Sequence, residues 1–221
     1  MLNGLNRPIL RIICGYIITA LLCFNVADLS AQSFNDAKID ARLCKIYDDD
    51  QQIRFKMGEA LASNDRSIVS INRKMKSIDS KNQKQVSKIL DKYGWPDGLS
   101  KNANKAIFLV IQHSDRSFSE KYFNLVKDKA DKGVIAKSDV ATLEDRILMW
   151  SSREQKYGTQ TVAVGDVFYI WPIEDSDMVN ILRKSVGLSP MSTQIERLEN
   201  QINRKVIWDK TLSIRDLNTV F

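Results

Sequence analysis

At 221 residues, with 43% hydrophobic and 27% charged side chains, the chain has the composition of one ordinary globular domain, which excludes disordered and fibrous classes. Nine glycines and four prolines are few for a loop-rich sandwich and favour helices. The net charge of +6 comes from bases interleaved with acids, as in Lys127-Asp128-Lys129-Ala130-Asp131-Lys132, whereas a nucleic-acid stripe is one-sided, so no nucleic-acid partner is expected.

The first predicted element is a leader. Arg7 and Arg11 precede an apolar run from Ile12 to Phe24, and small residues frame a cleavage point after Ala31, which is the order of a secretory signal. Thirteen apolar residues are short for a membrane span of roughly 20, although a retained N-terminal anchor is the alternative. The expected organisation is therefore a signal peptide over 1–31, a helical domain over 32–190 and a C-terminal helix and tail over 191–221 that packs on the body. The protein is expected to be exported, periplasmic or secreted, with no stable membrane span once the leader is cleaved. Cys14 and Cys23 leave with that leader, so the mature chain keeps Cys44 alone and relies on packing rather than disulfides.

The body reads as a mainly α, antiparallel helical domain with one short β-hairpin near 161–170. Ile39, Leu43, Ile46 and Tyr47, then Ile53, Met57 and Leu61, recur at helical spacing, with Asp48-Asp49-Asp50 as a break or a helix start between them. Ile68, Ile71, Met75 and Ile78 form a second stripe, and Ser80-Lys81-Asn82-Gln83 offers a capping box for a further helix ending at Gly94-Trp95-Pro96. Ala106 to Ile111 is apolar on every side, a buried helix or alternatively a buried strand. Ser117-Phe118-Ser119-Glu120 is another capping box, and Ser138 or Asp139 caps the helix carrying Val140, Leu143, Ile147 and Trp150. Thr161 to Val164 and Val167 to Ile170 flank Gly165-Asp166, the pattern of a hairpin with a two-residue turn. Helices are then expected from about Asp175 to Val186 and from Thr193, where Glu196 completes a third box.

Four polar motifs could carry chemistry. Gln112-His113-Ser114-Asp115 ends the buried run and contains the single histidine of the chain, a general acid or base near a helix C-terminus, or else a cap on its own last carbonyls. In Glu144-Asp145-Arg146 the arginine stem lies beside an apolar stripe, so its charge requires a carboxylate such as Glu174 or Asp175, as a structural pair or beside a ligand. Gln155, Tyr157, Thr159 and Gln160 surround Gly158 with neutral hydrogen-bonding groups suited to a polar ligand. Pro172-Ile173-Glu174-Asp175 is followed by Arg183 and Val186-Gly187-Leu188.

Together with Asp79-x-x-Asn82 and Gly94-Trp95-Pro96, these motifs occur in an order that resembles a bacterial family known as domain of unknown function 6624, over about Asp50 to Pro190. The resemblance implies that the polar positions share one site; it implies no activity and no cofactor. Lys101-Asn102-Ala103-Asn104 departs from the family pattern, which has a glycine-containing helix start there. The leading expectation is a binding module for a small polar ligand or peptide, with Gln112, Arg146, Gln155, Tyr157, Thr159, Gln160, Glu174 and Arg183 as its ligand-binding residues. The rival is a hydrolase or transferase in which His113 is the general base, oriented by Asp115 or Asp145. A structural envelope protein without a site is the third reading. One histidine and one mature cysteine leave no structural zinc set. Asp115, Asp145, Glu174 and Asp175 could supply oxygens for magnesium or calcium but lack the loop pattern of a calcium hand, so no metal is expected, and no cofactor motif is present.

Overall fold

The computed structural model describes residues 36–63 and 65–218, so the leader expected over 1–31 lies outside the described residues. The chain divides into two units. In the first, residues 1–42, the described part is helical over 36–42. The second, residues 43–221, is mainly α with one small sheet. Its helices are α1 (residues 43–62), α2 (Ile68–Tyr93), α3 (Lys101–His113), α4 (Arg116–Asp131), α5 (Lys137–Trp150), α6 (Val179–Ser185), α7 (Met191–Ile202) and α8 (Ile214–Asn218). Strands β1 (Thr161–Val164) and β2 (Val167–Ile170) lie between α5 and α6, and β3 (Val206–Ile207) lies between α7 and α8. Among the described residues no helix is long and apolar enough to cross a membrane.

Helix α1 runs through Asp48-Asp49-Asp50 without a break, because Asp50 occupies a place on the buried stripe Leu43, Ile46, Asp50, Ile53 and Ala60. Its steps of 3, 4, 3 and 7 residues keep that stripe on one face. Helix α2 is likewise one piece from Ile68 to Tyr93; Ser80 lies inside it and caps nothing, since the buried positions Asn82, Val86, Ile89 and Leu90 continue the stripe begun upstream. Gly94, at φ +66°, ends α2, and its N–H donates to the Leu90 carbonyl. Trp95 is buried and donates from Nε1 to Asn104 Oδ1 at 2.7 Å, while Asn104 Nδ2 donates to the Leu99 and Ser100 carbonyls. The Gly-Trp-Pro motif and the divergent Lys101–Asn104 stretch thus meet in one structural clasp at the start of α3.

The apolar run 106–111 is a helix, and α2 with α3, α3 with α4, and α4 with α5 pack as successive neighbours. Two expected caps are corrected. Asp115, not Ser117, caps α4, accepting the Phe118 N–H at 3.0 Å. Helix α5 begins at Lys137 behind Ala136, so neither Ser138 nor Asp139 caps it.

The hairpin forms in the expected register, Val164 opposite Val167 across Gly165-Asp166, with Gly165 at φ +60° as a two-residue turn requires. It is not alone. Strand β3 adds to β2 in parallel, pairing Phe168 with Val206 and Tyr169 with Ile207. Ile170, Val179, Met191 and Val206 form a buried cluster with Phe168, Ile173, Ile195, Leu198, Ile202 and Trp208 around it, so residues after 190 are part of this core. Helix α6 is shorter than expected because residues 174–178 form turns in which the Asp175 carboxylate accepts the N–H groups of Asp177 and Met178. Helix α7 starts directly after Pro190, two residues before the expected Thr193.

Candidate functional site

The carbonyls at the end of α3 lack the usual partners one turn on, apart from the long bond of 3.4 Å from the Ser114 N–H to Ile111, and three side chains take them. Ser114 Oγ donates to the Val110 carbonyl at 2.6 Å, Ser119 Oγ to the Ile111 carbonyl at 2.8 Å, and Arg146 to the Gln112 carbonyl at 3.0 Å. His113 therefore does not cap its own helix. Its Nδ1 lies 3.1 Å from Oδ1 of Asp50, which is buried on α1. A carboxylate only accepts, so Nδ1 carries the hydrogen and the lone pair of the neutral ring sits on Nε2. The imidazole side chain is 18% exposed, while that of Asp50 is 2% exposed.

Asp50 is held on every side that its burial demands. Arg54 Nε donates to Oδ1 at 3.1 Å and Gln51 Nε2 to Oδ2 at 2.8 Å. Burial alone pushes this carboxyl up, but the His113 hydrogen bond, the charge of His113 when its ring is protonated and the charge of Arg54 outweigh it and bring its pKa below the ordinary carboxylate value. Arg54 also reaches Asp79 on α2 at 2.7 Å, where burial outweighs the arginine and leaves the Asp79 carboxyl raised. Carboxylate, imidazole and guanidinium from α1, α2 and α3 form one chain.

Arg146 of α5 joins this group. Its Nε donates to Gln160 Oε1 at 3.3 Å, its guanidinium lies 5.8 Å from the Trp150 ring, and no carboxylate pairs with it among the described residues. The expected partners Glu174 and Asp175 are exposed elsewhere, Glu174 using only its backbone N–H to bond the Gln155 carbonyl at 2.9 Å. Burial and then the nearby Arg54 charge lower the Arg146 pKa.

The other predicted residues fold the loop that carries Gln160. Asp145 is fully buried, and its carboxylate accepts the N–H groups of Lys156 (2.8 Å), Tyr157 (3.1 Å) and Thr159 (3.0 Å) and the Thr159 hydroxyl (2.9 Å). Burial still leaves its pKa raised. Gln155, also fully buried, donates to the carbonyls of Trp171 and Gln160 and accepts the Gln160 N–H at 2.8 Å. Arg183 has no exposed surface; it donates to the carbonyls of Ser189, Tyr157 and Gly158, and its second terminal nitrogen finds no partner. Gly158 sits at φ +68° against Met191, where a Cβ would come within 2.7 Å of the sulfur. Tyr157 is half-buried, its hydroxyl raised by burial first and then by the Glu144 charge.

The structure thus joins Gln112, Arg146 and Gln160 by hydrogen bonds, with His113 the next residue of α3. It places Asp145, Gln155, Thr159 and Arg183 behind them as the loop's internal scaffold, and Glu174 outside. Asp115 is corrected as an orienter of His113: it faces Ser117, Phe118 and Gln83 instead, and those hydrogen bonds, Ser117 first, pull its carboxyl down to about 2. Asp145 is corrected in the same role, since its oxygens are spent on the loop. Asp50 and Arg54 were missed. Their signal was available, because Asp50 takes an apolar position in the stripe of α1 and a charge there must have partners. Among the described residues no group of three His, Cys, Asp or Glu side chains stands where it could hold a metal.

The sequence profile of a family of unknown function (DUF6624) matches residues 37–207. That span starts before Asp50 and runs past Pro190 through β3, longer than the motifs alone implied. No curated protein and no solved structure matches the chain.

Proposed function

The chain belongs to the family of unknown function DUF6624, and from that premise, which supplies no activity, we propose that His113, Asp50, Arg54 and Arg146 form a proton-transfer site for a small ligand bearing an anionic group. The observation that carries this reading is the bond from His113 Nδ1 to buried Asp50, which orients the ring and leaves Nε2 as the base. Arg146, without a carboxylate of its own, supplies positive charge beside that base for a ligand carboxylate or a developing oxyanion. Water or a ligand hydroxyl would give its proton to Nε2, and Asp50 would stabilise the imidazolium formed. In this reading the leader carries the protein out of the cytoplasm, so the ligand is a small polar molecule or a peptide end of the envelope or the medium.

The single histidine makes the test direct. The 15N spectrum of the neutral ring should show hydrogen on Nδ1, and Asp50→Asn should abolish that preference. A screen of peptide, ester and phosphoester model substrates should then find turnover that His113→Ala and Asp50→Asn both lose at unchanged helicity. Ligand binding that needs Arg146 but gives no turnover would reduce the site to a binding module. A ring with hydrogen on Nε2 would sink the proposal.

A further inference from the structure

The antiparallel pair α1 and α2 has a second face. A cavity of about 200 Å³ opens there, lined among others by Asp49, Ile53 and Lys56 of α1 and by Lys74, Lys81 and Asn82 of α2. Its charge is lopsided. Lys56, Lys74 and Lys81 are exposed and make no ion pair among the described residues, while the one acid, Asp49, has both oxygens engaged by Lys45 at 2.9 Å. At its wall is an unpaid polar group: Asn82 is 3% exposed, and its buried Nδ2 makes no hydrogen bond in the protein. Carboxamides in such positions are normally satisfied, so an unpartnered one beside a cavity points to a group that arrives from outside.

We propose that this cavity binds a phosphoryl group, with the three lysines as its counter-charges and the Asn82 carboxamide as its hydrogen-bonding wall. Lysine ammoniums are compact point charges that can surround a tetrahedral dianion, and the planar fork that arginine offers a carboxylate is missing from the lining. The volume is below the roughly 300 Å³ at which pockets enclose a whole drug-sized molecule, so it takes the phosphorylated end of a ligand whose remainder stays in solvent. None of these residues belongs to the His113 cluster, and the proposal stands or falls separately from it.

The test is a titration of the 15N-labelled protein with inorganic phosphate and with glycerol phosphate at constant ionic strength, with sodium chloride as control. The Asn82 side-chain amide signals should shift saturably at about millimolar concentration. Each of Lys56→Gln, Lys74→Gln and Lys81→Gln should weaken binding about three-fold, the scale of an exposed ion pair, and the triple variant should lose it. Asn82→Leu should weaken phosphate binding without lowering thermal stability, which separates a ligand-binding amide from a structural one. Vesicles of phosphatidic acid in phosphatidylcholine form the second arm. Binding to vesicles with no response to the soluble phosphates assigns the site to a lipid headgroup, and a response to both assigns it to the phosphoryl group itself. Shifts that chloride reproduces, or that persist in the triple variant, overturn the proposal.

Discussion

Replacing Asp145 by asparagine keeps the side chain's volume and exchanges one acceptor oxygen for a pair of donors. In the better of the two amide orientations, Oδ1 still serves Lys156 and Tyr157, while the new NH₂ faces the Thr159 N–H across the 3.0 Å that a hydrogen bond now spans. Two donors then oppose each other in a buried place, at about 1–3 kcal/mol each. Loss of the charge adds nothing to this, because the raised pKa says that the loop repays the carboxylate's desolvation only in part. The expected cost is about 2–6 kcal/mol, which for a chain of this size lowers Tm by about 4–24 °C. Thermal unfolding followed by circular dichroism at neutral pH measures it. Thr159→Val, which removes the hydroxyl's bond to Asp145 and the one it accepts from Gln160 Nε2, is the control at about 1–3 kcal/mol. An Asp145→Asn protein melting within about 2 °C of the parent, or no lower than Thr159→Val, would refute the view that this carboxylate builds the loop.

Gly158→Ala meets both a positive φ, at about 1–2 kcal/mol, and the Met191 sulfur and Ile173 Cδ1, at a further ~1–3 kcal/mol of overpacking; a denaturation cycle with Met191→Ala should recover only the Met191 share of that second part. Arg183→Lys leaves at least one of the carbonyls of Tyr157, Gly158 and Ser189 without a donor and should cost about 1–3 kcal/mol per carbonyl in urea unfolding. Asp115→Ala removes the N-cap of α4 and should cost about 1 kcal/mol near neutrality. Because the folded Asp115 pKa is depressed to about 2, its contribution is present above the ordinary carboxylate range and fades as pH falls from about 4 towards 2. The stability gap between wild type and Asp115→Ala should close over that window, and a gap that is flat in pH contradicts the capping role.

Elements whose own pattern outweighs their surroundings were readable in the sequence: the amphipathic stripes, the all-apolar 106–111 run, and the Gly165-Asp166 hairpin, whose turn chemistry is local. Boundaries were less so. Ser80, Ser117 and Thr193 have the residues of capping boxes, but propensity at a helix end yields when packing on the neighbouring turn continues the helix, as Asn82 and Val86 do for α2. Strand β3 is two residues long and exists only because β2 offers an edge, so it carries no pattern of its own. At the site, the legible part was the set of polar motifs that converge, and the illegible part was which groups face which. Arg146 turned to main-chain and amide oxygens rather than to Glu174, and His113 to a carboxylate 63 positions upstream. Such pairings are made by tertiary packing across α1, α3 and α5. An acid inside an otherwise apolar stripe, as at Asp50, is the one trace they leave in the primary structure.

The parallel strand β3 imposes an order of assembly. Synthesis proceeds from the N-terminus, so the hairpin is complete while the outer edge of β2 is still unpaired, and α6, α7 and the turn at Asn203 must be made before Val206 can seal it. Until then the growing polypeptide displays an open ribbon edge that any extended segment could join. A truncation anywhere between α6 and Val206 freezes the protein in that state, and such fragments should self-associate rather than persist as shortened monomers.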